Sequence, residues 1–324
     1  MNKSDKIYVA GHLGLVGGAI LRNLQVAGYA NLLTRPLEEL DLLDQAAVNS
    51  FFEKEKPEYV FLAAAKVGGI AANSTYPADF IYQNTMIGFN VVHAAYKNGV
   101  KKLINLGSSC IYPKLAPQPL KEEYLLTDLL ESTNEAYAIA KISVIKLCTY
   151  YNRQYGTNYL SVMPTNLYGP GDNYDLNSSH VLPALIRKFH EAKVSGSDRV
   201  ILWGDGTPRR EFLFNDDLAE ALILLMQKYN AEDISSPAGD FVNVGSGKDL
   251  TIKDLAEKVR GIVYRGTSNR DCRIEWDSEK PNGTPQKLLD VSIITALGFS
   301  PKTGLSNGIE LAYKDFLVKS HKEI

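Results

Sequence analysis

Apolar residues follow two alternating rhythms along the first half of the chain. The run Ile7-Tyr8-Val9-Ala10 is continuous, breaks at Gly11, and gives way to Ile20, Leu21 and Leu24 at helical spacing. A short apolar run ending in glycine reads as a buried strand, and three-to-four spacing reads as a helix that covers it. The alternation recurs, so strands are expected near 7–10, 31–35, 58–64, 101–107 and 159–164, with helices near 14–27, 45–55, 78–98 and 135–155. Gly28, Gly99 and Gly156 each close a helical run where a C-terminal cap belongs, and Asp44 opens one where an N-cap belongs. This pattern implies an α/β fold with a doubly wound parallel sheet.

Past Pro164 the rhythm becomes irregular, with loops rich in Gly, Pro, Asn and Asp at 169–178 and 204–209. A smaller mixed α/β C-terminal lobe that carries substrate specificity is expected there. Asn215-Asp216-Asp217-Leu218 begins an apolar helix, and Phe241-Val242-Asn243-Val244 is a short buried-strand candidate ending at Gly245. The expected division is therefore a dinucleotide-binding domain over 1–165, with returns near 211–245, interleaved with a substrate lobe over 166–324. The segment near 230–239 reads as a surface connection.

With 324 residues and 45% hydrophobic content, the chain can bury a large core. A net charge of -2 and an isoelectric point near 6.2 give no basic bias, which argues for a small-molecule partner and against nucleic acid. No apolar run has the length of a membrane span, and the polar start Met1-Asn2-Lys3-Ser4-Asp5-Lys6 has no apolar signal region. A cytoplasmic protein without membrane contact is expected. Cys110, Cys148 and Cys272 are odd in number and widely spaced, so neither a disulfide framework nor a metal site is expected.

Candidate chemistry starts at the first strand's end. In Gly11-His12-Leu13-Gly14-Leu15-Val16-Gly17, Gly11 permits a tight turn, Gly14 lets backbone approach a pyrophosphate, and Gly17 lets the helix pack on the strand. The helix start offers free amides and a positive dipole end to that anion, so a Rossmann-type dinucleotide site is expected. Tyr137 and Lys141 stand four apart on a helix, hence on one face, about thirty residues after Ser108. Such a trio can reduce a carbonyl: Ser108 polarises the oxygen, Tyr137 gives the proton, and Lys141 is expected to lower the phenol's pKa. The Tyr-x-x-x-Lys spacing alone also fits an ordinary exposed helix turn; the glycine loop decides between the readings.

Further runs extend the pattern: Ala63-Ala64-Ala65-Lys66-Val67-Gly68-Gly69-Ile70, Gly107-Ser108-Ser109-Cys110-Ile111-Tyr112-Pro113 and Pro164-Thr165-Asn166-Leu167-Tyr168-Gly169-Pro170. With these the chain resembles the extended short-chain dehydrogenase/reductases. Tyr76-Pro77-Ala78-Asp79-Phe80, Ser179-His180, Trp203-Gly204-x-Gly206-Thr207-Pro208, Arg210-Glu211-Phe212 and Lys280-Pro281-x-Gly283-Thr284-Pro285 resemble, within them, the GDP-L-fucose synthases. The resemblance covers nearly the whole chain.

That resemblance implies 3,5-epimerisation of GDP-4-keto-6-deoxy-D-mannose, then NADPH-dependent reduction at carbon 4. A 4-keto group acidifies the hydrogens on carbons 3 and 5, so inversion needs one group to remove a proton and another to return it. The resemblance assigns these roles to Cys110 and His180; from the residues alone they read as a small buried residue and a helix-cap residue. It gives Tyr137 the protonation of the alkoxide, Ser108 an oxyanion hydrogen bond, and Lys141 a further hold on the nicotinamide ribose. Cofactor contacts are implied for Gly11, His12, Gly14, Leu15, Val16, Gly17, Arg35, Asp41 and Leu42. Others are implied for Ala63, Ala64, Leu106, Gly107, Pro164, Asn166, Leu167 and His180. Substrate contacts are implied for Ser108, Ser109, Asn166, Lys188, Trp203, Arg210 and Asp277. Read without the resemblance, Trp203 could be core, and Arg210 could pair with Glu211 or Asp217.

Three positions depart from the family pattern. Leu13 and Leu37 stand where it has arginines that hold the extra phosphate of NADP. No Asp or Glu ends strand two, however, and Arg35 offers a positive charge, so NADPH (NADP+) remains the expected cofactor. Lys188 replaces an arginine over the substrate phosphates, a point charge in place of a planar fork. A related GDP-4-keto sugar such as a GDP-4-keto-heptose, reduced at carbon 4 with little or no epimerisation, is the alternative. A nucleotide-sugar 4-epimerase fits the Ser-Ser-Cys motif less well, and a sensing module would not be expected to keep Ser108, Tyr137 and Lys141 together. The resemblance also implies a homodimer through the helices near 78–98 and 135–155, where Ile142, Ile145, Leu147 and Cys148 exceed what one buried face requires.

Overall fold

Strands made wholly of apolar side chains must be covered on both faces, and that requirement sets the first half of this molecule. The computed structural model describes residues 1–236, 238–266, 272–280 and 282–320; Pro237 of the surface connection and Pro281 of the later motif lie outside them. In chain order the first half comprises β1 (Ile7–Ala10), α1 (Leu15–Val26), β2 (Leu32–Leu33), α2 (Gln45–Glu55) and β3 (Tyr59–Leu62). It continues through α3 (Ile70–Thr75), α4 (Pro77–Lys97), β4 (Lys102–Leu106), α5 (Glu135–Tyr155) and β5 (Tyr159–Pro164). Every residue of β1, β4 and β5 is buried.

These strands lie in the order β2-β1-β3-β4-β5, all parallel. Because β2 and β3 flank β1 on opposite sides, the order reverses there, and a crevice opens at the strands' carboxyl ends. The later chain contributes β6 (Asn166–Tyr168), α6 (Val181–Ser195), β7 (Arg199–Trp203), β8 (Arg209–Phe214) and α7 (Asn215–Lys228). Then β9 (Ser235–Ser236) and β10 (Gly239–Val244) rejoin the first sheet, β10 parallel to β5 and β9 antiparallel at the edge. The result is a Rossmann-type sheet of six parallel strands.

The remaining elements are β11 (Asp249–Thr251), α8 (Ile252–Val263), β12 (Arg273–Asp277), β13 (Gln286–Lys287), α9 (Ser292–Ala296) and α10 (Leu305–Ser320). β8 is the hub of a small sheet, pairing with β11, β13 and β6, while β12 pairs with β7. A second core fills this lobe: Leu185, Ile186 and Phe189 of α6 pack with Leu255 and Val259 of α8 and Phe316 of α10.

Three expectations change. Strand two pairs only over Leu32–Leu33, and Arg35 instead forms ion pairs with Glu55 and Glu39. The helix α3 had no sequence signal; it is six residues long, and Asn73 steadies its start by donating to the Gly68 and Gly69 carbonyl oxygens at 2.8 and 3.0 Å. The apolar residues that suggested a subunit interface turn inward: Ile142, Ile145 and Cys148 are buried under the chain's own sheet, and Leu147 packs at the margin of that core.

Candidate active site

At the end of β1 the chain turns sharply, with Gly11 at φ +83° and a Cβ there only 2.7 Å from the Ala64 backbone. A Cβ on Gly17 would lie 2.1 Å from the Gly11 carbonyl oxygen, so only glycine lets α1 start this close to β1. The loop thus lies against Ala63 and Ala64, and Ala63 N–H donates to the Ala10 carbonyl at 3.0 Å. No side chain caps α1 and no acidic residue stands in its first turn, which leaves the amides around Leu15, Val16 and Gly17 for an anion. His12 adds a buried Nδ1 with no hydrogen-bond partner. An uncapped helix start, a cradle that a Cβ would fill and an orphaned ring nitrogen fit a dinucleotide.

The sites implied for its far end differ in character. Arg35 is held by Glu55 at 2.9 Å and Glu39 at 3.7 Å, while Leu13 and Leu37 are 75% and 68% exposed. The Asp41 carboxylate accepts from Leu43 N–H at 2.9 Å, and Leu42 is buried with its carbonyl taken by Asn90.

Beyond β4 lies the proton-handling cluster. Gly107 admits the Met163 side chain, which a Cβ would meet at 2.2 Å, and Ser108 caps a short turn over Ser109–Ile111. Tyr137 and Lys141 project from α5. Lys141 Nζ donates to the Leu106 carbonyl at 2.8 Å and stands 5.6 Å from the Tyr137 ring centroid. Burial pushes Lys141 down to about 8, with Cys110 opposing. The phenol is not lowered as expected: burial drives Tyr137 far above its ordinary value, Cys110 adds to this, and the Ser108 hydroxyl only partly opposes it. The Tyr137 phenol is therefore neutral at physiological pH.

Cys110 is buried beside them, and burial raises its thiol above the usual value while Lys287, Ser108 and Lys141 draw it back. His180 arrives from the other lobe as the residue before α6. Gly69 N–H donates to the Ser178 carbonyl at 3.1 Å, which docks the Gly68-Gly69 turn on the His180 segment. Part of the imidazole faces solvent, yet the surrounding protein, and then the Lys287 ammonium, lower its pKa. Asn134 Oδ1 and Ser179 Oγ are also buried without partners, one near each end of this cluster.

The substrate-lobe side is cationic and aromatic. Trp203 is 51% exposed, so it is not core, and Lys188 and Lys280 ammonium groups lie 5.9 and 5.7 Å from its ring centroid. Lys188 donates to the Ile201 carbonyl at 3.0 Å and feels Asp277, which pairs in register with Trp203. Arg210 pairs with neither acid considered for it: Glu211 binds the Gly247 and Leu289 amides, and Asp217 binds Thr303. Burial alone lowers Arg210 to about 10, and a Cβ on Gly283 would lie 3.3 Å from its guanidinium. Asn166 donates to the Glu211 carbonyl at 2.8 Å, next to Pro164 at the end of β5 and half-buried Leu167. Lys287 had no sequence signal among 35 Lys and Arg; only the pairing of β13 with β8 brings it beside Ser109 and Cys110.

Fold and site define a dinucleotide-dependent oxidoreductase. Residues 7–245 match the NAD dependent epimerase/dehydratase family, and the chain belongs to it. It is 55% identical to GDP-L-fucose synthase 1 of Arabidopsis thaliana, over 98% of this chain and 94% of that protein. It is 52% identical to GDP-L-fucose synthase of Escherichia coli K12, over 97% of each. The solved GDP-mannoheptose C4 reductase MlghC of Campylobacter jejuni, with NADP bound, superposes with a TM-score of 0.88 at 40% identity, over 98% of this chain and 99% of that one.

Lys141 supplies a pH prediction. Its ammonium is present below about 8 and lost above it. The reduction rate, followed as kcat/KM because that reports the free enzyme, is expected to fall as pH rises through that value. Lys141→Met is expected to remove that limb and lower the rate roughly a hundredfold or more, the scale of a lost positioned proton-handling group. A profile flat across this range would contradict the assignment.

Proposed function

We propose that this chain converts GDP-4-keto-6-deoxy-D-mannose to GDP-L-fucose, first by epimerisation at carbons 3 and 5, then by NADPH-dependent reduction at carbon 4. The observation that carries the reading is the crowding of two kinds of proton carrier into one pocket. Cys110 interacts electrostatically with both Tyr137 and Lys141, so a thiol for carbon acids stands beside a phenol for an alkoxide. The identities of 55% and 52% to GDP-L-fucose synthases support the same reading.

When bound, NADPH supplies the hydride for carbon 4. Gly11, Gly14, Gly17 and the start of α1 would hold its pyrophosphate, and the unpartnered nitrogen of His12 would be available to it. In the epimerisation, Cys110 and His180 act as the acid-base pair, one removing a proton next to the keto group and the other returning it to the opposite face. Ser108 then donates to the keto oxygen and Tyr137 delivers the proton as charge develops there. Trp203 offers a stacking face for guanine, Lys188 and Arg210 the charge for the diphosphate, and Asn166, Ser109 and Asp277 polar contacts.

A second reading has one observation behind it. Lys188 is a point charge already turned to the Ile201 carbonyl, which constrains the diphosphate less than an arginine fork, and the chain is 40% identical to a GDP-mannoheptose C4 reductase. On that reading the chain reduces a GDP-4-keto-heptose at carbon 4 with little or no epimerisation.

We also infer a cytoplasmic homodimer. Among the described residues no helix is long and apolar enough to cross a membrane. Tyr82 and Phe89 of α4 and Ile139 and Tyr150 of α5 are exposed on two helices that pack together, and a second copy of the pair would cover them. Sedimentation is expected to give a dimer at micromolar concentration; a monomer throughout would contradict it.

The reaction is tested in heavy water with GDP-4-keto-6-deoxy-D-mannose and NADPH, reading the product by NMR. GDP-L-fucose with deuterium at carbons 3 and 5 is expected. Cys110→Ser and His180→Gln are expected to lower deuterium entry by roughly a hundredfold or more, while Tyr137→Phe stops NADPH oxidation but leaves deuterium entry in place. An undeuterated, unepimerised alcohol favours the heptose reading.

A further inference from the structure

We propose that Lys287 is a positioning residue for the epimerisation, a positive charge beside Cys110 that favours its thiolate, the form that removes a proton next to the keto group. This inference rests on the proposed function, since it concerns the acid-base pair of that reaction.

The backbone holds Lys287 firmly. Gln286 and Lys287 form β13 beside Arg209 and Arg210 of β8, and Arg209 N–H donates to the Pro285 carbonyl at 2.8 Å. On the other side, Leu120 N–H donates to the Leu288 carbonyl at 2.7 Å and Leu288 N–H to the Gln118 side chain at 2.9 Å. The buried Glu211 carboxylate accepts the next amide, Leu289, at 2.9 Å. A lysine held on both sides of its own residue cannot drift with its loop.

Among the described residues its ammonium forms no ion pair; burial and Arg210 lower its pKa, and Cys110 and Glu131 draw it back up. Lys287 lines a small cavity with Ser109, Cys110, Lys114 and Glu131, and the one carboxylate there is already paired with Lys114 at 3.0 Å. Arg210, its register partner, adds a second, half-buried cation that donates to the Arg209 carbonyl at 2.8 Å. The charged and titratable groups lining this space are Cys110, Tyr112, Lys114, Glu131 and Lys287; Lys141 and Tyr137 act electrostatically with Cys110, and Arg210 and His180 with Lys287. A cation sharing a small cavity with a thiol favours negative charge on the sulfur. The partly offset rise at Cys110 has the sign this arrangement requires.

The test follows Cys110 carboxamidomethylation by iodoacetamide across pH, with peptide mass mapping to separate it from Cys148 and Cys272, in wild type, Lys287→Gln and Lys287→Arg. The thiolate sulfur displaces iodide and forms the carbon–sulfur bond, so the midpoint reports the thiol pKa. In Lys287→Gln the midpoint is expected to move up by about one unit or more, with roughly tenfold slower alkylation at neutral pH. Deuterium entry at sugar carbons 3 and 5 falls in parallel and its pH profile moves to the alkaline side, while Lys287→Arg restores both. A Lys287→Gln midpoint equal to wild type, in protein with the wild-type circular dichroism, overturns the proposal, as does a Lys287→Arg variant that behaves like Lys287→Gln. Alkylation needs no substrate: absence of deuterium entry in wild type would defeat the proposed reaction, whereas an unmoved midpoint would defeat only the role of Lys287.

Discussion

One buried carboxylate holds the two halves of this molecule in register. Glu211 is fully buried in β8 and accepts from Gly247 N–H at 2.7 Å and Leu289 N–H at 2.9 Å. Its backbone carbonyl accepts from the side chains of Thr165 and Asn166, just past the end of β5. A single residue thus joins the exit of β5, the exit of β10 and the strand that carries Lys287. Burial raises its pKa and the amide bonds pull it back, the expected compromise for a carboxylate kept inside for its hydrogen bonds.

That junction determines which groups meet. The sheet brings Ser108, Tyr137, Lys141 and Cys110 to the carboxyl end of β4, where a doubly wound fold places its chemistry. β8 and β13 bring Arg210 and Lys287 from the other side, and the Gly69 contact with Ser178 brings His180. One set consists of a neutral phenol and hydroxyl suited to a growing alkoxide. The other sets a thiol and an imidazole in the field of the Lys287 ammonium. On the proposed function, a 4-keto sugar meets both sets without leaving.

The parallel sheet was legible because its signals are local: unbroken apolar runs, glycine at positive φ, and helical spacing. Residues close in sequence, such as Ser108, Cys110, Tyr137 and Lys141, were legible for the same reason. Strand two was overestimated because Arg35 finds Glu55 and Glu39 as partners, which no local pattern records. The spacing of Tyr137 and Lys141 places a lysine on the phenol's face but does not reveal that its ammonium turns to the Leu106 carbonyl. Lys287 was invisible because its place depends on a two-residue strand pairing across nearly eighty residues.

The most direct test of the junction is amide hydrogen exchange in Glu211→Gln compared with wild type. Glutamine keeps one acceptor oxygen and turns a donor toward an amide that needs an acceptor, so one of the two bonds is lost at a cost of about 1–3 kcal/mol. Protection at Gly247 and Leu289 is expected to fall more than protection in β3 and β4, with the segment around Lys287 following Leu289. Equal loss at all four places, or none at Gly247 and Leu289, would contradict the claim that this carboxylate sets the register between the two halves.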